Sequence, residues 1–318
     1  MFKSKSDVMD FAKKYSAIIL LGALLLLNAF ITPNFFKLNN LNNTITQICP
    51  IILCGMGMTL VISTAGIDIS VGSVMAVAGV LTAQIMPSIG VVPAVLLAVA
   101  VSIVIGCFTG IMVGKLRLQA MVVTLGLQLG LRGLSQVLCG GRDIYFNKLG
   151  EVGEQLKLWG TAKIAGIPIQ IVPIVIAVAF TYILVEKTVL GRQIQAVGDN
   201  SKSSSLAGIS TAKTMMFVYG MSAAFAAMAG VFQAAKVQVA AGSSLGQLAE
   251  LDAIAAVVIG GTSMSGGKAH VFGTVIGALI MQMITLTCVM NNIPDQYAQV
   301  IKAIIIVVAV FIQRERAK

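Results

Sequence analysis

The chain has 318 residues, of which 57% are hydrophobic and 11% charged, whereas an ordinary soluble domain carries about 25% charged residues. With a mean hydropathy of +0.94, it has too little polar surface to cover a water-soluble globule, so a multi-pass membrane protein is indicated. The net charge of +10 is assigned to basic loops facing the cytoplasm, which removes the reason to invoke nucleic acid. Low aromatic content and long unbroken apolar runs favour helices over a barrel of alternating segments.

A membrane-spanning helix needs about 20 apolar residues. In chain order the candidates lie near 15–31, 45–63, 68–86, 91–114, 119–138, 169–186, 214–234, 250–262, 269–290 and 298–313. The basic N-terminus before the first segment resembles a signal peptide, but no small-x-small cleavage site follows, so an uncleaved first helix is expected. The eighth segment is short, and the second and third are separated only by a Gly/Ser/Asp break. The expectation is an all-α polytopic protein of about ten transmembrane helices, some broken or re-entrant, forming one domain over 1–318. With both termini in the cytoplasm, 14 of the 22 basic residues fall inside, 6 fall outside, and Arg132 and Lys302 fall within spans. This satisfies the positive-inside tendency. Residues 139–168 are then an outer loop and 187–213 a cytoplasmic loop. Within the latter, Asp199 or Asn200 is a good N-cap and Gly208 a good C-terminal stop, framing a short helix near 201–207.

The stretch "VISTAGIDISVGSVMAVAG", residues 61–79, places Asp68 between Ser63 and Ser70 and adds Gly66, Gly72 and Gly79. A charge near the bilayer centre costs about 2.5–3.5 kcal/mol on insertion scales, so it must be paired, face water or sit near the interface. Gly66 permits non-helical backbone, and Asp68 or Ser70 can cap a helix restarting near Val71. Three readings stand: a tight cytoplasmic turn with Asp68 as cap, a break that lines or shapes a solute path, or a proton-coupling carboxylate, against which counts the lack of a second carboxylate near in sequence. Gly66-Ile-Asp-Ile-Ser70-Val-Gly72 matches Gly261-Thr-Ser-Met-Ser265-Gly-Gly267 at three of seven positions. Such a faint repeat fits the internally duplicated build of transporters. Gln47, Gln128 and Gln233 lie within spans and suit an uncharged polar solute or helix-to-helix bonding. Arg132 is expected to snorkel to the outer interface.

The cysteines at 49, 54, 107, 139 and 288 include no CxxC pair, and His270 is the single histidine. Neither a disulfide framework nor a metal site is suggested. "GGTSMSGGKAH" fails the phosphate-loop spacing, because Thr262 stands where the first Gly belongs and Ala269 follows Lys268. No catalytic constellation is present. The chain is expected to be no enzyme and to carry no cofactor.

The stretches "TPNFFKLNNLNNT", "GMTLVISTAGIDISVGSVMA", "GRQIQAVGDNSKSSSLAGI" and "ELDAIAAVVIGGTSMSGGKAHVFGTVIGALI" resemble the permease subunit of bacterial ribose-type ABC importers, in order, from about residue 30 to 312. The resemblance implies a multi-pass protein of the bacterial inner membrane that imports a monosaccharide by alternating access. It implies three protein partners: a second permease copy or paralogue, a cytoplasmic ATPase subunit that hydrolyses the ATP, and an outer sugar-binding protein. It makes "AVGDNSKSSSLAGI" a coupling segment that docks on the ATPase through Gly198, Asn200, Ser205, Leu206 and Gly208. Asp199 departs from the family pattern, which has Gly there. The glycine and polar positions Gln47, Gly66, Asp68, Ser70, Gly72, Gly261, Ser265 and Gly267 are the candidates for the solute path or its helix breaks. Other cargoes within the same superfamily are nucleosides, branched amino acids or a furanose signal. An ion-coupled carrier would need several deep carboxylates with partners, of which only Asp68 stands out. A membrane-embedded enzyme lacks its catalytic residues.

Overall fold

A computed structural model describes residues 16–313 of the chain. In order it contains α1 (Ser16–Ile31), α2 (Leu38–Ser63), α3 (Val71–Ile89), α4 (Val91–Gly114) and α5 (Ala120–Leu138). There follow β1 (Ile144–Tyr145), α6 (Glu151–Thr161), the hairpin β2 (Lys163–Ile164) and β3 (Ile167–Pro168), α7 (Ile171–Lys187), α8 (Val189–Asp199) and α9 (Ser201–Leu206). The chain closes with α10 (Thr211–Val237), β4 (Val239–Ala240), α11 (Ala249–Ile259), α12 (Val271–Met290) and α13 (Asp295–Gln313). All ten apolar segments of the sequence are helical, but the count of ten spans is not carried by length. Among the described residues six helices are long and apolar enough to cross a membrane: α2, α3, α4, α5, α10 and α12. A seventh follows if α7 and α8, bent by 74° at their junction, form one span. The helices α1, α11 and α13 are shorter in their apolar extent. Seven of the fourteen basic residues assigned to the inner side lie outside the described residues.

The 27-residue helix α10 is the centre of the bundle, packed on α4, α2, α3 and α6. Its closest neighbour is α4, where Gly106, Gly110 and Gly114 form a stripe at four-residue spacing. A Cβ at Gly106 would lie 2.3 Å from the Tyr219 carbonyl oxygen, and one at Gly110 2.4 Å from Met216 Cα. Close backbone approach over small residues is the main source of helix adhesion where lipid supplies no hydrophobic drive. Polar pairs add to it. Asn28 on α1 donates to Thr287 Oγ1 on α12 at 2.8 Å, and Asn291 donates to Thr32 Oγ1 at 2.9 Å.

The segment 139–168 is ordered and sits against one end of α10. β1 pairs antiparallel with β4, Ile144 opposite Ala240. α6 leans on α10 closely enough that a Cβ at Gly160 would meet Ala235 backbone at 2.4 Å. At the opposite end, a Cβ at Gly114 would meet Ala212 Cα at 3.0 Å. There Arg117, Lys202 and Ser205 line one cleft, which brings the α4–α5 turn beside α9. The two loops singled out in the sequence therefore lie at opposite ends of the bundle.

The break between α2 and α3 turns back into the protein. Gly57, six residues before the end of α2, lies against Ser222, where a Cβ would come 2.8 Å from Ser222 Cα. Asp68, five residues after that end, reaches the same Ser222 with a hydrogen bond of 2.9 Å. At 1.5 Å per residue the chain has retraced about 9 Å of depth. Ser222 itself is about 17 Å along an α10 of about 40 Å, so α3 begins deep in the bundle. α11 does the same. Its 11 residues span about 16 Å, near half of a hydrocarbon core about 30 Å thick. The first turns of α3 and α11 meet: a Cβ at Gly72 would lie 2.3 Å from Gly246 O and 2.6 Å from Glu250 Oε2.

Candidate functional site

Asp68 closes the turn that launches α3. Its Oδ1 accepts from the Ser70 backbone N–H at 3.0 Å and from Ser70 Oγ at 2.6 Å, while Oδ2 accepts from Ser222 Oγ at 2.9 Å. All three residues are buried. Ser70 occupies the N-cap position of α3, but its side chain makes no capping bond. It donates to Asp68 instead, so neither residue caps α3 in the expected manner. An aspartate accepting from the backbone two residues on is an Asx-turn, which gives the chain a reversal without helix or strand. The left-handed residue of the reversal is Ala65, with φ +59°, not Gly66. Gly66 is required for space: a Cβ there would stand 2.6 Å from the hydroxyl of fully buried Tyr219.

A second deep carboxylate, which the sequence reading missed, lies one junction away. Glu250 is 5% exposed and sits in the first turn of α11, against the first turn of α3. Its Oε1 accepts from Gln128 Nε2 of α5 at 3.0 Å, and Oε2 is buried without a partner. A negative group at helix N-termini is favoured by unpaired N–H groups and by the dipole. One turn along α5, Arg132 donates from Nη1 to Leu245 O at 2.6 Å and reaches Gly242 O at 3.4 Å. Arg132 thus bonds to protein carbonyls near the end of α10 that carries β4. The carbonyls of the irregular 241–248 segment, lacking helical partners, supply its acceptors inside the protein, and Ser135 Oγ also donates to Gly242 O at 2.7 Å.

The second copy of the repeat has a different setting. Ser263, aligned with Asp68, accepts at Oγ from the Ser265 N–H at 3.2 Å, the same two-residue turn as in the first copy. Beyond that turn the likeness stops. Gly261, Gly266 and Gly267 all have positive φ, Ser265 is exposed, and α12 starts six residues after Ser265 rather than one. Gly261, Ser265 and Gly267 lie in the loop beside the end of α8, not beside Gln47. There Gly267 N–H donates to Ser63 O at 3.0 Å, and a Cβ at Gly198 would fall 1.8 Å from that same oxygen. The ends of α2 and α8 and the 261–267 loop are thus one joint. Gly198 is buried in this joint, whereas Asn200, Ser205, Leu206 and Gly208 lie on the exposed α9 segment. Asn200 Oδ1 caps α9 by accepting from Ser203 N–H at 2.9 Å, and Gly208, φ +85°, ends it.

Where α11 leaves half the bundle's depth unfilled, a cavity of about 240 Å³ opens between α2, α10, α11 and α12. Its polar wall includes Gln47, Gln233, Gln247 and Gln282 together with Lys236 and Asp252. Gln282 Nε2 donates to Gln47 Oε1 at 2.7 Å, and Gln233 Oε1 is buried without a partner. A second cavity of about 630 Å³ shares Gln247 and Asp252 and extends to α13. Between α11 and α13, Lys302 Nζ contacts both oxygens of Asp252, at 3.0 and 3.1 Å.

Comparison with known proteins places this arrangement in a family. The ribose import permease protein RbsC of Escherichia coli is 35% identical over 301 residues, covering 94% of this chain and 93% of that protein. The galactofuranose transporter permease protein YtfT of Escherichia coli is 34% identical, with 94% and 89% covered. The fructose import permease protein FruF of Bifidobacterium longum is 39% identical over 263 residues, with 82% and 74% covered. No solved structure matches the chain. Residues 40–310 match the family described as the permease component of the branched-chain amino acid transport system, and the chain belongs to that family of transport permeases.

Proposed function

We propose that the chain is the membrane-spanning subunit of an ATP-driven importer of a monosaccharide. The observation that carries this reading is that the relatives just named, similar along most of the chain, are import permeases for ribose, galactofuranose and fructose. The family description names branched-chain amino acids, and the wall of the smaller cavity favours the sugar. Four carboxamides offer donors and acceptors to hydroxyls, whereas the ammonium of a free amino acid would find the wall carboxylate, Asp252, already engaged by Lys302.

In this reading ten helical segments form the transmembrane domain, α9 is the docking surface for a separate ATPase, and the 139–168 segment faces the outer binding protein. Both termini then lie in the cytoplasm of a bacterial inner-membrane protein. A second permease copy or a paralogue completes the path, for which α5, where only Thr124, Leu131 and Ser135 are buried, offers an uncovered face. Hydrolysis of ATP by the partner shifts the pair between outward- and inward-open states, and the chain itself needs no cofactor. The test is ATP-dependent uptake by proteoliposomes holding the permease with its ATPase and binding protein. Accumulation of radiolabelled D-ribose, D-fructose or D-galactose is the expected result. Accumulation of L-leucine with none of the sugars overturns the reading.

A further inference from the structure

The geometry points to the 240 Å³ cavity as a weak binding site for one neutral sugar ring in transit, with the Asp252–Lys302 ion pair as the barrier between it and the larger cavity beside α13; this rests on the sugar-import reading. The short length of α11 creates the space, because the helix fills only about half the bilayer depth, and of the irregular 241–248 segment before it only Gln247 borders the cavity. The volume lies below the ~300 Å³ lower end of drug-sized pockets, which restricts the occupant to a small molecule.

The wall has two characters. One is the carboxamide set of Gln47, Gln233, Gln247 and Gln282; the other is the apolar surface of Ile51, Met75 and Val237. A sugar ring presents the same two characters, a hydroxyl edge and a C–H face. The Gln282-to-Gln47 bond holds two of the amides in register and leaves the Gln47 NH₂ and the Gln282 carbonyl for a ligand. Gln233 lines the same wall, and its amide adds a further hydrogen-bonding group for the hydroxyl edge. Charges of both signs, Lys236 and Asp252, stand in the wall, so neither an anion nor a cation is drawn in strongly.

Gln247 and Asp252 are common to the two cavities, and Lys302 holds both oxygens of Asp252. The two side chains are 16% and 24% exposed. A partly solvated pair of this kind is inexpensive to part, which suits a barrier that must open in every cycle.

Two measurements test the inference. Saturation-transfer NMR of the permease in nanodiscs with millimolar D-ribose or D-fructose is expected to give sugar signals. Gln233→Met and Gln282→Met, which keep side-chain length, should weaken binding about tenfold through one or two lost hydrogen bonds. The absence of sugar signals from the native permease, or unchanged signals in both variants, overturns the site. In proteoliposomes, Lys302→Met should raise ATP-independent leak of D-ribose several-fold, and the exchange of Asp252→Lys with Lys302→Asp should restore tightness. A Lys302→Met variant as tight as the native protein overturns the barrier. Native proteoliposomes that accumulate sugar normally while these outcomes fail leave the import reading intact and remove only this inference.

Discussion

Asp68 and Ser222 are 154 positions apart and share a buried 2.9 Å hydrogen bond, which ties the turn before α3 to the middle of α10. The bond fixes how far the chain re-enters after α2. Asp68→Asn keeps the oxygen that accepts from Ser70, and its NH₂ can donate to Ser222 Oγ, so most stability and transport should persist. Asp68→Leu leaves the Ser70 N–H and two hydroxyls without their acceptor, at about 1–3 kcal/mol for each buried group left unpaired. Thermal inactivation in detergent and expression-normalised uptake should rank native, Asn and Leu in that order. Equal loss in Asn and Leu would instead indicate a protonation role for the carboxylate.

Gly72 should be the least replaceable position in the junction. An added Cβ would meet Gly246 O at 2.3 Å and Glu250 Oε2 at 2.6 Å, so Gly72→Ala forces the two helix starts apart. Overpacking of this kind costs about 1–3 kcal/mol. Gly126→Ala on α5 has nothing within 4 Å and should be neutral or stabilising by up to about 1 kcal/mol. Melting temperatures of the two variants, measured side by side, should shift in opposite directions or by clearly unequal amounts.

Glu250 is expected to behave as a structural acceptor. Glu250→Gln retains an oxygen for Gln128 and should leave the fold nearly unchanged. Glu250→Leu strands the Gln128 amide and removes the negative group from two helix N-termini, at about 1–3 kcal/mol for the unpaired group and about 0.3–1 kcal/mol for the dipole term. Adding Gln128→Leu to Glu250→Leu should recover part of that loss, which a double-mutant cycle on thermal stability reads directly.

Sidedness can be read by impermeant thiol labelling in a background lacking the five cysteines. Ser204 is 6% exposed and a Cβ at Gly153 would sit 2.0 Å from Phe146 O, so neither suits a probe. Lys202→Cys and Gln155→Cys occupy exposed positions on the two loops. In intact cells the reagent should reach position 155 and not 202. The reverse pattern inverts the topology.

The features read correctly from sequence are those whose chemistry is local. Asn200 and Gly208 bound α9 because a cap and a left-handed stop act within a few residues. The helical segments followed from apolar runs, since a bilayer demands internally bonded backbone. Glu250 was missed because "LAELDAI" reads as an ordinary acidic first turn. Its depth arises from α11 starting mid-bundle, a consequence of packing against α12 and α2. The acceptors of Arg132, the Gly242 and Leu245 carbonyls, were not legible because they lie 110 and 113 residues further along the chain. Gly66 was read as a freedom for non-helical backbone, whereas Ala65 holds the left-handed φ and Gly66 supplies clearance, because from sequence a glycine needed for clearance and one needed for its φ look alike.

The α9 surface gives the sharpest separation between fold and coupling. Leu206 is 91% exposed, a large apolar side chain at the tip of a short capped helix, where a docked ATPase would cover it. Leu206→Asp should leave melting temperature unchanged, because the side chain has no packing to lose, yet reduce both co-purification with the ATPase and sugar uptake. Gly208→Val acts differently. Its φ of +85° is costly for a β-branched residue, by about 1–2 kcal/mol for the left-handed conformation, so the end of α9 should shift and both readouts fall with a small loss of stability. Asn200→Ala removes the cap, at about 1 kcal/mol, and should give an intermediate effect. Pull-down of the ATPase with each variant, beside uptake per permease, decides the matter: native behaviour of Leu206→Asp in both assays removes α9 as the docking surface.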